Sequence, residues 1–310
     1  MEIVISQIGV VSAWGRGFDA FRAGWIEKRV ALQESEELQH LPSNLAGISP
    51  NKGFSQYLKR RKAAKLMTDS ARLAMDACGQ ILEKYTDPTE DVGLFFAVGR
   101  EPSDEGEAEE ALVGSVEFDK EGKAFFSEKK LAEKGQRLYP PLLPLKTLPN
   151  MILGHLSIHF LLCGENGAWS GEGWRAFDEG YWSVVEGRSK QVLIGAADSL
   201  VDLGQARDLY RIGIDSPPGQ GAIAFLIESK EEAEKHQRKI LAKIKRRDFS
   251  EKKKERMPHL EKQLVGLLGH CGVCSPMFHL LIHLIEGKEN DGGFIWGNFA
   301  FEIFDQKEKG

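Results

Sequence analysis

Four cysteines in 310 residues, Cys78, Cys163, Cys271 and Cys274, are too few for a disulfide scaffold at this length. No uninterrupted apolar stretch approaches the roughly 20 residues that span a bilayer. No charged amino terminus followed by an apolar run marks a secretory signal either, so a cytoplasmic protein without a membrane span is expected. The formal charge of -5, with a pI near 6.0, gives no overall attraction for nucleic acid or anionic membranes. A glycine-rich phosphate loop is missing, and no cofactor is expected. His279 and His283 stand i and i+4 on one helical face, a spacing that suits a metal. No glutamate lies between them and no third ligand is evident, so they read as packing or interface residues and no metal is expected. Cys271 and Cys274 form a lone Cys-x-x-Cys without the second pair of a zinc site, and read as small buried apolar residues.

What is present is an ordinary globular composition, 42% hydrophobic and 28% charged, in a chain long enough to bury a large core. Apolar residues recurring at spacings of three and four predict a helix over 63–82. The run Val92 to Val98 predicts a buried strand, Trp174 to Val185 a helix, Val192 to Ala197 a central strand, and Met277 to Ile285 a helix with Pro276 in its first turn. Strands alternating with helices imply a layered α/β fold around a largely buried sheet. Residues 100–135, with Glu101, Asp104, Glu105, Glu107, Glu109 and Glu110, read as a long acidic insertion with small elements, placed to carry function or meet a partner. The prolines of Tyr139 to Pro144 predict a rigid extended connection. The charged stretch Glu231 to Lys262 reads as a link between two halves. Its cations Lys243, Lys245, Arg246, Arg247, Lys252, Lys253, Lys254 and Arg256 form a basic cluster that could steer an acidic partner.

The richest segment is Gly164-Glu-Asn-Gly-Ala-Trp-Ser-Gly-Glu-Gly-Trp174, followed by a helix ending near Gly187 and the strand Gln191 to Asp198. Together with Ile3 to Gly15, Phe21 to Trp25, Leu145 to Asn150, Pro218 to Glu228, Gly269-His270-Cys271-Gly272 and Trp296 to Glu302, it resembles the β-ketoacyl synthases of the thiolase superfamily. Ser170 falls where that family carries its cysteine nucleophile, and Gly173 falls on the motif's glycine. The resemblance implies a thiolase-like layered αβαβα fold with a shortened second half. Residues 1–230 would form the ketosynthase-like half with the degenerate elbow, and residues 231–310 an abbreviated C-terminal half packed into the same domain. It also implies that the strand after the elbow helix pairs across a dimer interface.

The departures matter as much as the matches. Ketosynthases need a cysteine, two histidines and a lysine; the first histidine's motif is missing here and Val265 stands at the lysine position. The chain is therefore most similar to the chain-length-factor subunits. That resemblance implies a non-condensing partner of an active ketosynthase in type II fatty acid, polyene or polyketide biosynthesis, in contact with an acyl carrier protein. Two alternatives stand beside it. In one, Ser170, at the start of a helix whose free N–H groups favour an anion, works with His270 as an acyltransferase or hydrolase. In the other, the chain is a non-catalytic homodimeric scaffold. The plain reading of Ser170 is a helix cap. Trp169 and Trp174 would narrow an acyl tunnel, and Gly269 belongs to the turn that carries His270.

Overall fold

The computed structural model describes residues 1–85, 88–99, 105–138, 143–146, 148–171, 173–246, 258–287, 294–296 and 298–303. In chain order its principal elements are β1 (Ile3–Ser12), α1 (Phe18–Ile26), α2 (Asp69–Leu82), β2 (Gly93–Val98), α3 (Glu105–Val113), β3 (Val116–Phe118) and β4 (Ala124–Phe126). They continue with α4 (Met151–Phe160), β5 (Asn166–Ser170), α5 (Gly173–Val185), β6 (Gln191–Ser199), α6 (Leu203–Arg211), β7 (Gln220–Ser229) and α7 (Lys230–Lys235). The last are β8 (Ala242–Arg246), α8 (Pro258–Leu268), α9 (Ser275–Glu286), β9 (Phe294–Trp296) and β10 (Phe299–Ile303).

One mixed sheet organises them, in the order β9-β10-β8-β1-β7-β6-β2-β5. β2 runs parallel to both β5 and β6, and the other neighbours along this order are antiparallel. Alternation along each strand sends side chains to opposite faces. Phe95, Ala97, Ile194, Ala196, Ile223 and Phe225 thus join α1, α5, α8 and α9 on one side. Leu94, Phe96, Val98, Leu193, Ala197 and Ala222 pack with α2 and α4 on the other. The result is the layered α/β fold expected from the sequence, with helices covering both faces.

Val192 to Ala197 lies in mid-sheet as expected, but β6 is paired along both edges, with β7 and with β2. It has no edge left to offer a second subunit, which corrects the expectation that this strand pairs across a dimer. The open edges among the described residues are those of β5 at one end of the sheet and the short β9 at the other.

Other boundaries move for local reasons. The helix expected over 63–82 begins at Asp69 because the Thr68 hydroxyl accepts the Ala71 N–H (3.3 Å) and caps it. Arg61–Leu66 is a separate 3-10 turn. The insertion is more ordered than a loop, holding α3 and the β3–β4 hairpin, while residues 100–104 and Tyr139 to Leu142 lie outside the described residues. The stretch 231–262 is not a mere link: Ala242 and Ile244 alternate with Lys243 and Lys245, and β8 pairs with β1. The C-terminal strands therefore extend the same sheet that the N-terminal part builds.

Where β6 and β7 begin and end together, Glu228 is fully buried. Arg238 meets both its oxygens (Nη2 to Oε2 2.8 Å, Nε to Oε1 2.9 Å), and Gln191 Nε2 donates to it at 2.9 Å. Removing the cation strands a buried carboxylate, a loss of about 3 kcal/mol. Arg238→Met is expected to lower the urea unfolding midpoint accordingly with an unchanged denaturant slope.

Candidate functional site

β5 carries the elbow sequence to the C-terminal end of the sheet, where Ser170 pairs with Val98 as its last residue and is exposed. Gly171, at φ +117°, then turns the chain, and α5 starts at Gly173. Ser170 is thus the end of a strand, not the start of a helix, which corrects the capping expectation. Its backbone is committed to the parallel pair with β2, so the positive end of the α5 dipole falls two to three residues beyond it.

The two segments singled out by sequence do meet. A methyl group added at Gly173 would lie 3.1 Å from the Val273 carbonyl and 3.4 Å from Met277 Cγ, so the start of α5 rests on the chain just after His270. The side chains themselves are not joined: among the described residues no hydrogen bond links Ser170 to His270. His270 is half-buried, and burial pulls its imidazole below its ordinary pKa, with Glu261 opposing, so the ring is neutral at pH 7. Its backbone is clasped to the strap before β7, donating to Pro217 O (2.7 Å) and accepting from Gly219 N–H (2.9 Å). Gly269 makes that clasp possible. Its φ is +79°, and a methyl group there would stand 2.5 Å from Pro218 O.

Trp169 is half-buried and folds back along its own strand, its ring stacked on Phe95 at 5.9 Å and covering Gly167. Trp174, on the first turn of α5, packs against the core with the Arg175 guanidinium 5.5 Å over its ring. Cys271 and Cys274 are unpaired and fully buried; burial pushes the Cys271 thiol up to about 12 and raises that of Cys274 as well. They behave as small apolar residues, as the sequence suggested. Of the basic cluster, Lys243 pairs with Glu2 and Arg246 lies 3.6 Å from Asp178, while Arg247, Lys252, Lys253, Lys254 and Arg256 lie outside the described residues. A cavity of about 190 Å³ opens beside the end of β6, among Thr68, Asp69, Arg72, Ser199 and Asp202. None of the candidate site residues, Ser170, His270, Trp169, Trp174 and Gly269, lines it.

Sequence reasoning missed Asp198, the residue that ties the site together. It is buried at the end of β6, its Oδ1 accepting the Ser199 N–H (2.9 Å) and its Oδ2 the Val273 N–H (3.0 Å). Gly99 and Gly272 make room for it: a methyl group at either would come within 1.9 Å of a carboxylate oxygen. Burial raises its pKa to about 7, against the two backbone N–H bonds and with a further push from Asp202. The visible signal was an acid ending an otherwise apolar strand.

No protein-family model matches the chain, and no curated protein sequence matches it. Solved structures do. One described as the ishigamide ketosynthase/chain length factor aligns with a TM-score of 0.65 at 16% identity, over 98% of this chain and 100% of that one. The complex AntDE:AntF, a type II PKS acyl-carrier protein with its ketosynthase bound to the hexaketide, contains a chain that aligns with a TM-score of 0.68 at 12% identity, over 98% and 99%. A β-ketoacyl synthase from Burkholderia phymatum STM815 aligns with a TM-score of 0.56 at 18% identity, over 86% of this chain and 69% of its own. The chain has the thiolase-like fold of ketosynthases and chain-length factors, and no helix among its described residues is long and apolar enough to cross a membrane.

The raised pKa of Asp198 fixes the sign of a pH effect. Unfolded, the carboxyl ionises near about 4; folded, it holds its proton to about 7. The folded state therefore binds the extra proton between those values, and this residue's contribution to stability is full at acid pH and lost as pH rises through that window. Asp198→Asn is expected to remove that component, so the difference in urea midpoint between variant and parent should shift in the variant's favour from pH 5 to pH 8. A constant difference across the range would show that Asp198 does not titrate there.

Proposed function

We propose that the chain is a non-condensing, chain-length-factor-type subunit that pairs with an active β-ketoacyl synthase in a type II fatty acid, polyene or polyketide system, and that an acidic acyl carrier protein visits the pair. One observation carries this reading. A ketosynthase fold is retained around an elbow whose nucleophile position holds an exposed serine at a strand end, with no hydrogen bond to the one histidine of the matching turn. Nucleophilic catalysis needs a nucleophile and base in reach of each other. Here the fold persists without that pair, as a wall-forming subunit requires.

Two surfaces support the partner. The outer edge of β5 offers unpaired backbone donors and acceptors, which added strands satisfy. Within the insertion, Leu112, Val113, Phe118, Phe125 and Phe126 are 47–69% exposed, a concentration of apolar surface that marks an interaction face. The cytoplasmic setting of such systems accords with this reading. The serine acyltransferase or hydrolase alternative, using Ser170 and His270, has no observation in its favour here. The homodimeric scaffold shares the same two surfaces and is separated by experiment.

Co-expression with an intact ketosynthase from the same gene neighbourhood is expected to give a stable heterodimer, and a chain that elutes only with itself favours the scaffold. The chain alone should neither decarboxylate malonyl-carrier protein nor condense acyl groups. Within the heterodimer, Ser170→Ala should leave turnover unchanged, while Trp174→Ala should change product length without abolishing synthesis. Condensation by the pure chain that Ser170→Ala abolishes would sink the proposal.

A further inference from the structure

Between the buried side chains of Phe54 and Met67, no residue of the chain is buried. Leu58 and Ala64 only rest on the apolar cluster that α2 and α4 share, and Lys59, Arg60, Arg61, Lys62, Lys65 and Leu66 are exposed. The 3-10 turn Arg61–Leu66 bonds largely within its own stretch, Ala63 N–H to Arg60 O and Met67 N–H to Ala64 O. Among the described residues, three polar contacts tie the segment 58–66 to the body. His159 Nδ1 accepts the Lys59 N–H (3.1 Å), Arg72 Nη2 donates to Ala64 O (3.2 Å), and His155 Nε2 donates to Leu66 O (3.2 Å). Two of the three come from buried histidines one turn apart on α4, and they grip the two ends of the segment. A stretch with so little buried apolar area opens locally at low free-energy cost, so each of these contacts carries a large share of its closure.

The two histidines respond to a proton in opposite ways. His155 faces a carbonyl and must donate, which its Nε2–H does whether the ring is neutral or charged. His159 faces an N–H and must accept, which Nδ1 does only while it carries no proton. A proton there sets donor against donor at the Lys59 end and leaves the Leu66 end held.

We propose that His159 is the latch of a pH-operated strap: residues 58–66 lie closed on α4 while its Nδ1 accepts the Lys59 N–H, and their Lys59 end swings free when that nitrogen takes a proton. The Leu66 end, kept by His155 and followed by the buried Met67, serves as the hinge. Opening uncovers the face of α4 that bears His159. The device belongs to this chain alone and operates whichever partner the chain takes.

The surroundings set the direction. Burial lowers the pKa of His159, and His155 and the Lys59 ammonium lower it further; burial lowers that of His155 too, against its bond to Leu66 O. α4 carries no other titratable side chain, and β2 and β5, which also touch it, carry none. The ionic side chains of α2 are engaged, Asp69 with Arg72 and Asp76 with Arg16. Tyr57, which packs on Phe160, has its hydroxyl pKa raised to about 12 and stays neutral. The released histidine regains its ordinary value of about 6.5. The open form therefore binds the extra proton, and closure is full above that value and is lost as pH falls below it.

The test uses the full chain, with hydrogen–deuterium exchange read by mass spectrometry at pH 7.5 and 5.5 after correction for intrinsic exchange rates. Peptides covering 58–66 report the strap, and residues 191–199 of β6 report the core. In the parent, protection of 58–66 is expected to fall by up to about tenfold at the lower pH, the factor by which one pH unit below the ordinary imidazole value favours the protonated open form. Protection of β6 should hold. His159→Asn places an amide oxygen near the Nδ1 position and does not titrate, so its strap should stay protected at both pH values. His155→Gln, whose amide can still donate to Leu66 O, should keep the parent's pH response. His159→Leu should lose protection at both, and trypsin at pH 7.5 should then cut between Lys59 and Lys65 faster than in the parent. Equal strap protection of the parent at the two pH values overturns the inference. So does the same loss in His159→Asn, which assigns the response to another group, and so does a loss shared by β6, which makes it global acid unfolding.

Discussion

Strand β6 is hydrogen-bonded along both edges and covered on both faces, and each of its nine residues from Gln191 to Ser199 is buried. A strand in that position has no slack. Its backbone groups are met by β7 along its length, by β2 from Val192 to Ala197 and, at Ser199, by the Asp198 side chain, and its side chains alternate between two cores. Gly195 shows how tight the fit is, since a methyl group there would press to 2.3 Å from the Phe96 ring and 2.5 Å from the Ile223 carbonyl. α5 packs on one face and α2 on the other because apolar surface on both sides has to be covered. The elbow, through β2 and β5, and the Gly269–His270 turn, through Asp198, are both placed by reference to this strand.

The sequence made that central part legible. Continuous apolar runs announced β2 and β6, and amphipathic spacing announced α2, α5 and α9, because strongly periodic burial leaves a strong pattern. What stayed hidden depends on pairing and on third dimensions. A single strand's composition does not say which neighbours it will take, so β6 looked available for a partner when the open edges lie at β5 and β9. β8 was masked by charge, since Lys243 and Lys245 on its outward face hid the buried Ala242 and Ile244.

The candidate site divides in the same way. Ser170, Gly269 and His270 were found because motif spacing survives in one dimension, and the structure brings the segments bearing them together. Ser170's position at a strand end was not readable, because it is decided by Gly171 and by the pairing of β5 with β2. Asp198 was overlooked because its importance comes from a carboxylate meeting a backbone N–H 75 residues away.

Asp198, Gly99 and Gly272 also bear on how such a chain can diverge. Each glycine is required by the carboxylate, which leaves no room for a methyl group at either position. The carboxylate in turn has little reason to be buried there except to meet the N–H groups that the glycines let approach. No single substitution at any of the three is cheap while the other two stand. In a lineage of related chains these positions are therefore bound to be retained as a set or replaced as a set, and a chain carrying a side chain at 99 or 272 will have exchanged Asp198 for a smaller residue.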